Sequence, residues 1–227
     1  MAAQENFASD IFKTAAGDLK ITFIGHASLI FNFKNLNIYI DPVGEFADFS
    51  RLPKADLIFI THQHTDHFDG EAIEKLRQKN SQIFLTTACQ PKPPASQLLK
   101  NGDHITTQGI EVTAVPAYNI VHKRSDGAFY HPCGEGNGYV FTFSSLRVYV
   151  AGDTENIPEM AALKNIDIAF LPMNLPYTMT PEMVAKAAKS FKPRILYPYH
   201  FGSTDTRLLP PLLADEPTIT VRIRKMN

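Results

Sequence analysis

One short segment of the chain, Thr61-His62-Gln63-His64-Thr65-Asp66-His67, concentrates side chains that bind metal ions. It offers three imidazoles and one carboxylate, groups that suit zinc and its first-row neighbours as ligands. The order His-x-His-x-Asp-His is far more specific than an isolated His-x-His pair. Two metal ions about 3.5–4 Å apart can share such a set of ligands. The segment therefore predicts a metal centre.

The metal-binding segment follows an apolar run that is typical of a buried strand, Leu57-Ile58-Phe59-Ile60. Such a strand delivers the side chains that follow it to one rim of a sheet, where a rigid element holds them in place. Two later segments have the same form. Asp153 follows a strand predicted from Arg147 to Val150, and His200 follows one that begins at Ile195. Metal-capable side chains thus stand after each of these strands.

These segments, in this order, resemble the metallo-β-lactamase superfamily of hydrolases, and the resemblance runs from about Leu19 to Gly202. It implies that the first two histidines bind one metal ion and that the following Asp-His pair binds a second. It also implies that Asp153 bridges the two ions and that His200 is the final ligand. The ligands carried over in this way are His62, His64, Asp66, His67, Asp153 and His200.

Further segments narrow the resemblance to one branch of the superfamily. Ile24-Gly25-His26-Ala27-Ser28 and Asp41-Pro42 resemble the group of ascorbate-6-phosphate lactonase and N-acyl-phosphatidylethanolamine phospholipase D. The chain is also similar to a set of short, poorly characterised metal-dependent hydrolases. The segments that carry this second similarity are Leu171-Pro172 with Tyr177-Thr178-Met179-Thr180, and His131-Pro132 with Asn137-Gly138-Tyr139-Val140. No single reaction follows from it.

One position departs from the family pattern, because Asn119 stands where the third histidine of the first metal site is expected. An amide oxygen is a weaker zinc ligand than imidazole. Asn119 can bind through its side-chain oxygen, directly or through water. Alternatively, His131 or His122 replaces it from the long loop, or the first site is weak and the enzyme uses one metal. We predict Asn119 as a ligand, with His131 nearby as a ligand or a general acid.

The whole chain, residues 1–227, is predicted to form one domain with an N-terminal arm at residues 1–17. Strands outnumber helices, and helices recur between groups of strands, which favours two packed sheets with helices outside. The resemblance makes this an α+β fold, the four-layer αβ/βα sandwich. Turns are predicted at Lys34-Asn35, Gln108-Gly109 and Ser144-Ser145, and a helix is predicted to start after Thr180.

The composition argues against a nucleic-acid partner and a membrane span, and the resemblance implies a small-molecule substrate. The formal net charge of −1 implies no basic face for nucleic acid. No apolar run is long enough to span a bilayer. We predict a cytoplasmic protein, or a periplasmic or secreted one if a signal peptide was removed before Gln4. Cys89 and Cys133 are predicted to be unpaired thiols, and the oligomeric state stays open.

The predicted chemistry is hydrolysis by a metal-bound hydroxide, with two zinc ions per chain and manganese or nickel as alternatives. Its substrate is a small ester, lactone or phosphodiester. Asp66 and His131 are the candidate catalytic residues, and Asp41 is expected to accept the free ring N–H of a ligand histidine. Tyr177 and Tyr118 are the candidate substrate contacts. The alternative is a metal-binding protein without catalysis, used for ligand sensing or assembly.

Overall fold

The computed structural model describes residues 7–226, and within this range the chain forms two seven-stranded mixed sheets. The first sheet contains β1 (Ser9–Thr14), β2 (Gly17–Gly25), β3 (Ser28–Phe33), β4 (Leu36–Ile40), β5 (Leu57–Phe59), β6 (Gln82–Leu85) and β7 (Ser96–Leu98). The second contains β8 (His104–Thr107), β9 (Ile110–Ala117), β10 (Gly136–Phe143), β11 (Leu146–Val150), β12 (Ile168–Pro172), β13 (Ile195–Tyr199) and β14 (Thr220–Val221).

The two sheets have the same connectivity. In each, strands that follow one another in sequence lie side by side, and the first four pair antiparallel. From β4 onward in the first sheet and from β11 onward in the second, the pairing is parallel. The carboxyl ends of the parallel strands of each sheet therefore lie at a single edge of that sheet.

The described residues form three short helices, α1 (Gly70–Leu76), α2 (Pro181–Phe191) and α3 (Leu209–Leu212), and three 3-10 turns, Phe49–Arg51, Pro158–Ala162 and Thr206–Leu208. The predicted start of α2 is confirmed, because the Thr180 hydroxyl accepts a hydrogen bond from the backbone N–H of Met183. None of these helices is long and apolar enough to cross a membrane.

The main core lies between the sheets and follows from the alternation of side chains along each strand. On β3, Phe31 faces the second sheet and meets Phe141 with ring centroids 5.6 Å apart. Its neighbour Ile30 points outward into a separate apolar cluster that α1 covers with Ile73. On the outer side of the second sheet, Tyr149 packs against Phe191 of α2 at 5.8 Å. The predicted α+β sandwich is confirmed.

The three hairpin turns predicted from the sequence are confirmed. Each places a non-glycine residue in the left-handed region, with φ of 55° at Lys34, 50° at Gln108 and 61° at Ser144. Turns with positive φ match the right-handed twist of the strands that they join. They fix the register of the antiparallel pairs and hence the strand ends that carry the site.

Within the described part of the predicted arm of residues 1–17, Ser9–Thr14 form strand β1, which pairs in register with β2. Its side chains are exposed or half-buried, so the apolar alternation that would reveal a strand is weak. Helix α1 ends at Leu76, and just beyond it the Ser81 hydroxyl accepts a hydrogen bond from the backbone N–H of Gln78. The prediction about a cleavage site before Gln4 lies outside the described residues.

Candidate metal centre

Five strand ends meet at one edge of the sandwich and bring chemically active side chains together. The residues delivered by β2, β4, β5, β11 and β13 are His26, Asp41, the segment His62 to His67, Asp153 and His200. Three of these, His26, Asp41 and His200, have φ between 44° and 51°. Such backbone conformations are costly for residues other than glycine and are concentrated at functional sites.

Gly152 makes the turn that aims Asp153 into the site. Its φ is +67°, and a Cβ atom there would lie 2.7 Å from the backbone oxygen of Asn137. Only glycine fits both restrictions. In the Gly-Asp pair after β11, Gly152 thus meets a backbone requirement, and Asp153 supplies the carboxylate.

A first cluster is formed by His62, His64 and His131, whose ring nitrogens lie within 4.8 Å of one another. The Nε2 atom of His62 is 3.1 Å from Nδ1 of His64. His131 comes from the loop between β9 and β10, and its Nε2 lies 3.2 Å from Oδ2 of Asp153. His62 and His131 are buried, whereas His64 is half-buried and lines a cleft.

A second cluster contains Asp66, His67 and His200, together with His26. The Oδ2 atom of Asp66 is 3.0 Å from Nε2 of His26 and 3.3 Å from Nε2 of His200. Asp153 lies between the two clusters. Its Oδ1 is 3.4 Å from Nε2 of His67, and its Oδ2 is 3.2 Å from Nε2 of His200. One carboxylate thus contacts histidines of both groups.

Several buried atoms at this centre have no hydrogen-bond partner. They are Nε2 of His67, Nε2 of His131 and Oδ1 of Asp153. A buried polar atom without a partner is costly, and native structures rarely contain one. These atoms point into the same space and are nitrogen and oxygen donors of the kind that zinc prefers. The residues present therefore fit a bound metal.

The ring tautomers of the buried histidines also suit metal binding. Asp41 is fully buried and takes the Nδ1–H of His67 at 2.8 Å, which leaves Nε2 free to face the site. Asp41 also accepts the backbone N–H and the hydroxyl of Thr61, each at 2.7 Å. Because its hydroxyl proton is committed to Asp41, Thr61 can accept the Nδ1–H of His62 at 3.0 Å. Asp41 thus orients two histidines.

Asn119 occupies a different place from the one predicted for a metal ligand. Its Oδ1 accepts two hydrogen bonds from His131, from the backbone N at 3.0 Å and from Nδ1 at 2.6 Å. Its Nδ2 donates to Glu155 at 3.0 Å and to the backbone oxygen of Tyr177 at 2.9 Å. The amide oxygen is therefore engaged behind His131. It fixes the tautomer that turns Nε2 of His131 toward Asp153.

Glu155 is a buried carboxylate that the sequence analysis missed. It accepts the backbone N–H groups of Ile120, Val121 and His122 at 2.6–2.7 Å, and it also bonds the His122 ring at 2.6 Å. His122 is therefore bonded to Glu155, and in the described part of the chain it is not among the histidines of the first cluster. Burial raises the pKa of Glu155, but these N–H donors outweigh burial and lower it. Its place two residues after Asp153 was the only signal in the sequence.

Burial and charge set the protonation states of the site in the metal-free chain. Burial lowers the pKa of His62 well below its usual value and that of His64 to about 4, so both rings are neutral at pH 7. Burial also acts on His67, but the charges of Asp153 and Asp41 outweigh it and raise its pKa. The pKa of Asp153, which burial alone would raise, is held well below its usual range by His200 and His67.

A cleft of about 640 Å³ opens over both clusters. Tyr177, predicted as a substrate contact, lines it, whereas Tyr118 does not appear in its wall. The Tyr118 hydroxyl instead donates to Glu159 at 3.0 Å and is turned away from the ligands. Arg124, Tyr130 and Phe46 also line the cleft.

Comparison with known proteins gives a consistent result. A family model described as a beta-lactamase superfamily domain matches residues 20–200. A UPF0173 metal-dependent hydrolase from Thermococcus onnurineus is 33% identical over 216 residues, which cover 87% of this chain and 88% of that protein. The UPF0173 metal-dependent hydrolase of Thermococcus kodakarensis is 32% identical over 203 residues, with 82% and 85% covered.

Solved structures show the same similarity. A crystal structure from Parabacteroides distasonis, whose proposed activity is that of a metal-dependent hydrolase, has a TM-score of 0.92 and is 49% identical. The match covers 98% of this chain and 100% of that one. Igni18, a metallo hydrolase from Ignicoccus hospitalis, has a TM-score of 0.71 at 23% identity over 92% of this chain and 96% of that one, and it supports the fold alone.

Proposed function

The chain belongs to the metallo-β-lactamase superfamily and, within it, to the UPF0173 metal-dependent hydrolases, and from this premise we propose a two-zinc hydrolase of small esters, lactones or phosphodiesters. The family makes it a metal-dependent hydrolase. The number of metals, their identity and the substrate class are our proposal. The observation that carries it is the pair of histidine clusters joined by Asp153, with donor atoms left buried and unpartnered.

We assign the ligands to two sites. The first consists of His62, His64 and His131, and the second of Asp66, His67 and His200, with Asp153 shared. His131 takes the position for which the sequence suggested Asn119, because its Nε2 is buried and unpartnered while the amide oxygen of Asn119 is engaged. Zinc held by these residues would lower the pKa of bound water toward about 7 and would polarise the scissile oxygen of the substrate.

The remaining chemistry belongs to the side chains. Asp66 lines the cleft, and its carboxylate is oriented by His26 and His200. It is therefore placed to orient the nucleophile and accept its proton. Asp41 and Asn119 hold the ring N–H groups of His67 and His131, which keeps the opposite nitrogens directed into the centre. Tyr177 and Tyr130 form an aromatic wall with centroids 5.1 Å apart, which suits the apolar part of a substrate.

His64→Ala tests this function. Because His64 is half-buried and faces the cleft, its loss should leave the protein folded while removing one ligand from the first site. We expect hydrolysis of a lactone and phosphodiester panel to be abolished and the zinc content to fall. The matched control is His104→Ala, whose ring bonds Thr113 on an exposed strand pair. Full activity of His64→Ala would contradict the proposal, as would equal losses in the two variants.

A further inference from the structure

The loop between β9 and β10 places the guanidinium of Arg124 at the cleft, where no described carboxylate pairs with it. Arg124 is exposed and lines the cleft, and its Nη2 lies 3.5 Å from Nε2 of His64. Among residues 7–226, no carboxylate oxygen is recorded within 4.0 Å of its guanidinium. Five described arginines have such partners: Arg77, Arg194, Arg207, Arg222 and Arg224. Arg124 is directed at the metal centre instead.

The guanidinium is held in a fixed position by neutral groups. Its Nη2 donates to the backbone oxygen of Tyr130 at 3.2 Å, and its plane lies over the Tyr130 ring at 5.1 Å. Both hydrogen bonds described for the guanidinium of Arg124 start from Nη2, although a guanidinium has five N–H donors in a rigid fork. The donors on its other nitrogens are available for an oxyanion, which the fork can bind through two parallel bonds.

The backbone around Arg124 is braced, which preorganises this position. Its N–H donates to Ala128 at 2.7 Å, and its carbonyl accepts from Gly127 at 3.0 Å, so the tip is a closed turn. The bridge between Lys123 and Phe129 continues that turn. At the base of the loop, Glu155 binds three consecutive N–H groups. A loop that is ordered before binding loses less entropy when it takes a ligand.

Charge in the cleft is distributed unevenly. Arg124 stands beside His64 of the first cluster. Glu45 also lines the cleft, together with Phe46, whose ring stacks on His26 beside the second cluster. An anionic group is therefore attracted to the first cluster and repelled from the Glu45 region. This gives a direction to the bound substrate.

We propose that Arg124 is an oxyanion-binding subsite and that the substrate carries a carboxylate or phosphate group near its scissile bond, on the side of His64. The inference rests on the proposed hydrolase function and adds the class of its substrate. It also explains why an exposed arginine is stacked on a tyrosine of the cleft wall instead of being paired on the surface.

The test measures binding, so it does not depend on knowing the natural substrate. Hydroxamates chelate zinc, and a matched pair differs only in the tail: the monohydroxamate of succinic acid carries a carboxylate, and butyrohydroxamate is neutral. Their dissociation constants are measured by calorimetry on the zinc-loaded chain and on Arg124→Gln. We expect the variant to lose affinity for the anionic probe by about tenfold or more, with the neutral probe unchanged.

Two further comparisons complete the experiment. Lys123→Gln removes a neighbouring charge whose Nζ lies over the Phe129 ring at 4.7 Å, and it should leave both affinities within about twofold. A probe with a phosphonate tail should also lose affinity in Arg124→Gln, and the larger loss identifies the preferred oxyanion. Equal losses for anionic and neutral probes, or equal effects of the two variants, would overturn the subsite alone. Failure of both hydroxamates to bind the wild type would overturn the metal centre with it.

Discussion

At the scale of single residues, the proposed metal centre depends on the side chains that orient its proposed ligands as much as on those ligands. Asp41 holds His67, and Asn119 holds His131, each through the ring nitrogen that faces away from the centre. Partners of this kind change metal affinity or activity by about 10–100-fold when they are removed. The distinction between ligand and orienting residue can therefore be measured.

The first prediction concerns Asn119 and His131. Asn119→Ala removes the oxygen that accepts the ring N–H of His131 but leaves the imidazole in place. The affinity for zinc at the first site should therefore fall by about 10–100-fold. His131→Ala removes the donor nitrogen and should eliminate that ion altogether. Competition with a chromophoric chelator measures both constants. A larger loss in Asn119→Ala than in His131→Ala would mean that the amide oxygen is the ligand after all.

The second prediction concerns acid stability of the metal-free chain. Burial lowers the pKa of His64 to about 4 in the folded state, against 6.5 for an ordinary histidine. The unfolded chain therefore binds a proton at this residue below about pH 6.5, while the folded chain does not until about pH 4. The contribution of His64 to the free energy of unfolding therefore falls as the pH falls through this window.

His64→Gln removes this contribution, so the variant should lose less free energy of unfolding than the wild type between pH 7 and pH 5. Urea denaturation of chelator-treated protein at the two pH values gives the comparison. Because both proteins share every other titrating group, the difference between them reports the titration of His64 together with its effect on neighbouring groups such as His62. An equal or steeper loss in the variant would contradict the burial of a neutral imidazole at this position.

At the scale of elements, the loop from residue 118 to residue 135 decides how the site is completed. It supplies His131 to the first cluster and Arg124 and Tyr130 to the cleft. Glu155 fixes the base of this loop through three N–H groups and the Asn119 amide. Through this loop, the buried Glu155 carboxylate is connected to His131, to Arg124 and to Tyr130 of the aromatic wall.

The third prediction follows from this connection. Glu155→Gln replaces a carboxylate oxygen with an N–H₂ group that faces N–H donors, so the base of the loop should loosen. We expect faster amide hydrogen exchange over residues 118–131 and weaker binding at the first metal site. Glu159→Gln is the control, because Glu159 contacts only the exposed Tyr118 hydroxyl among the described hydrogen bonds. Unchanged exchange in Glu155→Gln would remove Glu155 from this role.

The sequence predicted the strands that carry the ligands, because the apolar runs before His62, Asp153 and His200 are long and continuous. It missed β1 and β7, whose side chains are largely exposed and give little alternation. It also did not predict where Asn119, His131 and Glu155 lie relative to the first cluster. Their roles depend on the path of a long loop and on contacts between residues more than thirty positions apart, as between Asn119 and Glu155.

At the scale of the whole molecule, the two sheets have equal connectivity, and the centre lies where their strand ends meet. The segment from His62 to His67 follows a strand of the first sheet. His131 lies in a loop between strands of the second sheet, and Asp153 and His200 follow strands of that sheet. The sheets also share their core, through contacts such as Phe31 with Phe141. We propose that the chain is therefore a single folding unit whose halves are joined by metal.

The fourth prediction tests this unity by calorimetry. The metal-free chain should unfold in one transition with equal calorimetric and van't Hoff enthalpies. Zinc should raise the midpoint without splitting the transition, because its ligands come from both sheets and it binds only the folded chain; at 100 times its dissociation constant the gain is about 2.7 kcal/mol. Two separate transitions, or a midpoint that zinc does not change, would contradict a single unit joined at the metal centre.

We propose that the two clusters hold one metal ion each, and the metal content per chain measures this. Protein purified without chelator or tag-bound metal is analysed by plasma mass spectrometry, with protein concentration from amino-acid analysis. We predict two metals per chain, mainly zinc, with one ion lost in His131→Ala. A value of one in the wild type, unaffected by His131→Ala, would contradict the two-metal centre and leave His131 without its proposed role.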